Sequence, residues 1–389
     1  MNSKKYIFII SIIVLLLFLY IIKYFSYANS KESFSNGNNP HYSYYRCKDK
    51  VLGPIAKNIF DKNNIFHSND NWNIYVPCGY NNVEEELQQI LIKSNIEKKY
   101  IFGLNGCDSI VSKNRIWESL VKCYGRKHAS TLMPESYILG DPNEMYVFRK
   151  NFNQSKNDIY ILKKNVQRKE GLKLTRDYFE ILEASVDNYR VAQKYITDLY
   201  LINGRKVNLR IYLLVIIKNH NVYFYLSKKG KCIYTNKKYN DNDLDFESNI
   251  TSYNLDMSVY KDNPRDFDEL KFYVDINSKN GSGNILFNKI ELLMREVSQC
   301  LSKNFYQSKN IYGSTTFQLF GADVIFTKDL HPYLLEMNKG PDMSPRDNID
   351  EIMKSSVQSD MYKTVGILNE NEDNSFYLIY KNLINNYGI

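Results

Sequence analysis

Hydrophobic and polar positions divide the chain into an apolar run, a polar stretch and three patterned blocks. Residues 6–22 (YIFIISIIVLLLFLYII) contain no charge and one serine. With Lys23 able to snorkel and Tyr24-Phe25 following, the run approaches the roughly 20 residues of a spanning helix. A secretory signal is the rival reading, with Lys4-Lys5 as its charged start and Ser26-Tyr27-Ala28 as a loose cleavage site. The run exceeds the usual apolar core of a signal, about 7–15 residues. A single N-terminal transmembrane helix is therefore expected, with an anchor over 1–25 and a polar, flexible tether over 26–40. Lysines on both flanks leave its orientation open.

The remaining pattern is mixed α/β (α+β). In the block 41–140, KKYIFGL (98–104) reads as a short buried strand ending at the turn signal Asn105-Gly106. Ile116, Leu120, Val121 and Tyr124 then recur at helical spacing up to a Gly125 stop. The block 141–190 holds a strand over 159–162 followed by the polar KKNVQRKEGL. The block 191–389 carries strand patterns at 191–196, 205–215, 221–226, 319–326 and 331–338. A helix is expected over 285–301, where Ile290, Leu293, Val297 and Leu301 are three or four apart. There is no internal repeat, and no GxGxxG to support a Rossmann dinucleotide site.

Composition adds little. Hydrophobic residues at 43% and charged residues at 24% permit a large core and exclude wholesale disorder. The formal charge of +8 suits an acidic partner but falls far short of the density of a nucleic-acid-packaging protein, and no nucleic acid is expected. The six cysteines show no CxxC spacing and no neighbouring His cluster, so free thiols are expected rather than a zinc site.

Two strands carry candidate chemistry. In KVNLRI (206–211), alternation puts Lys206, Asn208 and Arg210 on one side and Val207, Leu209 and Ile211 in the core. Two cations and an amide in a row make either a phosphate cradle or a solvated face. ADVIF (322–326) and PYLLEMN (332–338), joined around Thr327-Lys328-Asp329, fold as a hairpin that brings Asp323 opposite Glu336, with Asn338 on the same side as Glu336. Carboxylates inside apolar strands either face water or require a cation or a proton, and hard oxygen donors suit Mg²⁺. Lys163 and Lys164 leave the strand 159–162, where a lysine can reach a phosphate or simply face water.

In order along the chain, GCDSIVSKNRIWESL, YGRKHAS and MPESYIL precede YILKKNVQRKEGL, VAQKYITDLYLINGRKVNLRIYLLV and FQLFGADVIFTKDLHPYLLEMNKGPDMSP. Together they resemble the tubulin-tyrosine ligase-like branch of the ATP-grasp superfamily over most of 98–345. The resemblance implies an ATP-grasp fold with a small N-terminal α/β domain. It also implies a ligase that uses ATP and Mg²⁺ to turn a carboxylate into an acyl phosphate, which an amino group then attacks.

Carried over by position, Lys163 would hold the α/β-phosphates, and Gln193, Lys194, Tyr195 and Ile196 would surround adenine. Lys206, Asn208 and Arg210 would be catalytic, with Lys206 and Thr251 also binding nucleotide, and Asp323, Glu336 and Asn338 would be the Mg²⁺ ligands. Asn208 stands where the family usually has Asp. The loop Asn249-Ile250-Thr251-Ser252 only partly matches the family's His-[LI]-Thr-Asn, and the loop after Lys163 holds a single glycine, Gly171. The implied partners are an amino acid donor (glutamate, tyrosine or glycine) and a protein acceptor such as an acidic tubulin tail. A monomer, tethered to the membrane with its catalytic domain in the cytosol, is expected. The alternative is a catalytically silent ATP-binding protein that binds microtubules or another acidic protein.

Overall fold

The computed structural model describes residues 42–46, 51–90, 99–153, 157–165, 171–240, 242–251, 254–278, 281–369 and 373–384. Its strands in chain order are β1 (Ser43–Arg46), β2 (Phe66–His67), β3 (Ile74–Val76), β4 (Tyr100–Phe102), β5 (Ser136–Ile138), β6 (Tyr160–Lys163), β7 (Leu172–Thr175), β8 (Val191–Lys194), β9 (Val207–Lys218), β10 (Asn221–Tyr234), β11 (Thr315–Phe326), β12 (Pro332–Lys339) and β13 (Phe376–Leu383). Nine form one sheet in the order β13-β10-β9-β11-β4-β3-β1-β2, with β12 added on β11, and four form a second sheet in the order β5-β8-β6-β7.

The large sheet is covered on both faces, which is why its central strands read as near-continuous apolar runs. Along β9, Leu213, Val215 and Ile217 enter one core, which also takes in the helices Lys113–Tyr124 and Gly283–Leu301. Tyr212, Leu214 and Ile216 enter the other, against the helices Pro54–Lys62 and Asn348–Val365. Gly125 ends the helix Lys113–Tyr124 at φ 77, a conformation that costs a residue with a Cβ far more than it costs glycine. In the small sheet, Tyr160 and Leu162 pack under the helices Pro142–Asn151 and Tyr178–Glu183, while Ile159 and Ile161 face Tyr195 and Ile250.

Two expectations are corrected. No helix of the described residues is long and apolar enough to cross a membrane, whereas a span needs about 20 apolar residues in one helix. The single transmembrane helix, the membrane localisation and the membrane partnership are therefore withdrawn. The expected anchor over 1–25 and tether over 26–40 lie outside the described residues.

The cysteines are also not all free. Cys123 and Cys300 are bonded across helices 177 residues apart in sequence, with Cα atoms 5.9 Å apart, and Cys78 is disulfide-bonded too. Such a separation leaves no spacing signal to read. Cys107 and Cys232 are free and buried. Closing so long a loop restricts the unfolded chain, which the chain-entropy account values at about 3–5 kcal/mol. Replacing Cys123 and Cys300 together by Ser is expected to lower stability on that scale, read from the midpoint of denaturant unfolding.

Candidate functional site

Register places the chemistry in one rung. Arg210 of β9 lies opposite Asp323 of β11, and Asp323 lies opposite Glu336 of β12. Lys231 of β10 continues the rung beyond Arg210. Two cations and two carboxylates thus follow one another across four strands. Arg210 donates to both oxygens of Asp323, from Nε at 2.6 Å and Nη2 at 3.1 Å. Gly321 makes room for this pair, since a Cβ there would meet Arg210 Cδ at 3.0 Å.

A bulge between Asp323 and Val324 leaves Leu335 outside the ladder. The Leu335 carbonyl instead accepts from Lys163 Nζ at 3.3 Å. Asn338 Nδ2 donates to Glu336 Oε1 at 3.2 Å, so both side chains lie on the face expected from their spacing.

Lys163 ends β6 and is held from β8 by Gln193, whose Oε1 accepts at 2.7 Å while its Nε2 donates to Ser136 Oγ at 2.9 Å. Lys206 Nζ donates to the Tyr195 hydroxyl at 3.0 Å and to the Asn249 carbonyl at 2.9 Å, and stands 4.2 Å from the centre of the Tyr195 ring. Asn208 Nδ2 donates to Thr251 Oγ1 at 3.0 Å, leaving a buried Oδ1 with no partner. The Lys194 ammonium pairs with Asp158 at 2.8 Å on a half-exposed flank. All twelve residues singled out from the sequence, Ile196 included, line one cavity of about 760 Å³. That is within the usual range for a small-molecule site.

Burial dominates the electrostatics. It lowers Lys163 to about 8, against the pull of Glu336, and lowers Lys206 to about 7, with Lys163 adding repulsion. It raises the Asp323 carboxyl, and the opposing attraction of Arg210 does not fully offset this. Glu336 is also penalised by burial, but Lys113 and Lys163 bring it net below the ordinary range. Arg210 is held charged: burial disfavours its charge and Asp323 overcomes that.

Lys113 escaped the sequence reading although it sits within GCDSIVSKNRIWESL. Its Nζ is 4.0 Å from Glu336 and donates to the Lys164 carbonyl at 3.1 Å. The only signal was its place at the start of the helix Lys113–Tyr124. Ser252 and the loop 166–170 lie outside the described residues.

The donor chemistry fits a hard divalent cation and a polyanion. Asp323, Glu336 and Asn338 offer carboxylate and amide oxygens, the buried Lys163 and Lys206 offer N–H donors, and Asn208 Oδ1 is a buried acceptor with no partner. Glu84, Cys107 and Asp108 also cluster closely enough to hold an ion, but Lys339 already pairs with Asp108.

Two sheets of unequal size belong to one mixed α/β fold, and its cavity sets cations against paired carboxylates. The sequence profile of the Tubulin-tyrosine ligase family matches residues 93–374, and the chain belongs to that family. Its mixed α/β fold is consistent with the family's ATP-grasp-like domain. A probable beta-tubulin polyglutamylase of Tetrahymena thermophila is 25% identical over 66% of this chain and 23% of its own length. A probable tubulin polyglutamylase of Caenorhabditis elegans is 23% identical over 64% and 63%, and one of Bos taurus is 29% identical over 46% and 38%. This chain thus spans less than two thirds of the length of each of these relatives.

Proposed function

We propose that this chain is an ATP- and Mg²⁺-dependent ligase that adds glutamate to a protein acceptor with an acidic tail, such as tubulin. The observation that carries the reading is the rung Arg210–Asp323–Glu336 facing Lys163 and Lys206 across one cavity. The names of the relatives favour glutamate over tyrosine or glycine as donor, and tubulin as acceptor.

Mg²⁺, held by Asp323, Glu336 and Asn338, would supply charge neutralisation on the phosphates. Lys163 and Lys206 bind and orient the polyphosphate, with Tyr195 and Ile196 at the base. Arg210 stabilises charge on the transferred phosphoryl group. Transfer of the γ-phosphoryl group to a carboxylate of the acceptor's acidic tail gives ADP and an acyl phosphate. Attack by the amino group of the glutamate then forms the amide and expels phosphate.

The test is incubation of the protein with Mg²⁺-ATP, tubulin and labelled glutamate, tyrosine or glycine, followed by intact-protein mass. Incorporation of glutamate is expected. Bound ATP with no incorporation on any acceptor would favour the silent binder.

A further inference from the structure

Asn249 lies behind the cavity wall, 1% exposed, at the end of the short helix Phe246–Asn249. Its side-chain amide donates to the carbonyls of Asn240 at 3.0 Å, Asp245 at 2.9 Å and Asp243 at 3.3 Å, closing the preceding loop on itself. Its own backbone carbonyl accepts from Lys206 Nζ and from the Tyr195 hydroxyl, each at 2.9 Å. Two residues on, Thr251 Oγ1 accepts from Asn208. Lys206, just before β9, and Asn208, near its start, are therefore both held by the segment that Asn249 pins.

We infer that Asn249 is a positioning residue for nucleotide binding, fixing Lys206 in place without neutralising it. The inference rests on the nucleotide reading of the cavity. An ammonium has three N–H donors, and two of those on Lys206 go to neutral oxygens, the Tyr195 hydroxyl and the Asn249 carbonyl. The third is left for an anionic ligand. A carboxylate in place of that carbonyl would anchor the lysine equally well, but it would cancel the charge a phosphate needs. A backbone carbonyl anchors by hydrogen bonding alone, and its position is only as fixed as its loop. The Asn249 amide closes that loop from within. Its two N–H groups are shared among three carbonyls, which a side chain without an amide nitrogen cannot reproduce.

The experiment is titration of Mg²⁺-ATP into the wild-type protein and Asn249→Ala from about pH 6 to about pH 9, spanning the titration of a buried lysine. The groups facing Lys206 are Lys163 and Tyr195. Wild-type affinity should fall as pH rises through the range in which Lys206 loses its proton. In the folded variant the dissociation constant should rise about tenfold to hundredfold, as expected when a charge-assisted contact is misplaced. Its pH dependence should also move upward, because a released Lys206 regains water and its ordinary basicity. Asn249→Gln, which keeps the amide but displaces it by one methylene, provides the comparison if the alanine variant does not fold.

Wild-type affinity and pH profile in a folded variant overturn the inference. Weakened binding with an unmoved pH profile overturns it as well, since that is the mark of general loosening. A wild-type protein that binds no Mg²⁺-ATP removes the nucleotide reading itself, and the inference with it.

Discussion

Glu336→Gln is expected to abolish amino acid transfer while the protein stays folded. Gln has nearly the shape of Glu and keeps an oxygen to accept from Asn338 Nδ2, so the β11–β12 hairpin retains its local bonding. What disappears is a carboxylate that Lys113 and Lys163 hold ionised despite burial. In the proposed chemistry that charge belongs to the ligand set that neutralises the phosphates. A preorganised charge of this kind, aimed at developing phosphoryl charge, contributes several kcal/mol to the transition state. A loss of about a thousandfold or more in transfer rate follows at 1.36 kcal/mol per decade. The measurements are label incorporation and the thermal midpoint of the same preparation. Unchanged turnover would end the metal-ligand reading.

Asp323→Asn, at first sight equivalent, is a poorer test. Arg210 donates to both Asp323 oxygens, and removing one partner of this half-buried pair leaves the other charge uncompensated. Loss of activity and loss of fold would then be hard to separate.

The rung was legible in the sequence because strand alternation and a short hairpin connection are local rules. Asp323 faces Glu336, and Lys206, Asn208 and Arg210 share a side, as period two requires. Roles beyond those the alternation permits came from the resemblance, not from spacing. Features fixed by long-range contact could not be read. Lys113 reaches Glu336 from a helix more than two hundred residues away, and Cys123 reaches Cys300 across 177. The bulge that frees the Leu335 carbonyl for Lys163 depends on how β12 meets β11, and the apolar letters around it do not encode it. Lys194 lines the cavity, but its ion pair with Asp158 on another strand's flank is not encoded in spacing. Asn249 matched its motif poorly and was read as a departure, yet its amide closes the loop behind Lys206.

Lys206→Met is expected to stabilise the protein at neutral pH and to weaken nucleotide binding, two effects of opposite sign from one atom group. Burial holds Lys206 near 7, against 10.5 for an ordinary lysine, so the folded chain releases a proton that the unfolded chain keeps. Between about 7 and 10.5, stability of the wild-type protein should therefore rise with pH. Below about 7 both states carry the charge, and the folded state bears the full penalty, on the order of 3–5 kcal/mol at 1.36 kcal/mol per pKa unit. Methionine fills a similar volume and offers a sulfur to the Tyr195 ring, while the Tyr195 hydroxyl keeps its bond to the Asn249 carbonyl. The variant should thus gain thermal stability most strongly on the acid side and show a flatter pH dependence, with Lys163, lowered to about 8, supplying what slope remains. Its affinity for Mg²⁺-ATP should fall about a hundredfold, the loss of a desolvated charge-assisted contact. Thermal midpoints across the pH range and a nucleotide titration read the two effects separately. A variant less stable than the wild type at neutral pH would mean that the Lys206 hydrogen bonds outweigh its desolvation. Stability gained without loss of nucleotide would mean that the strained cation serves something other than phosphate. Together, the expected outcomes would make Lys206 a residue that opposes folding and is kept for the anion it binds.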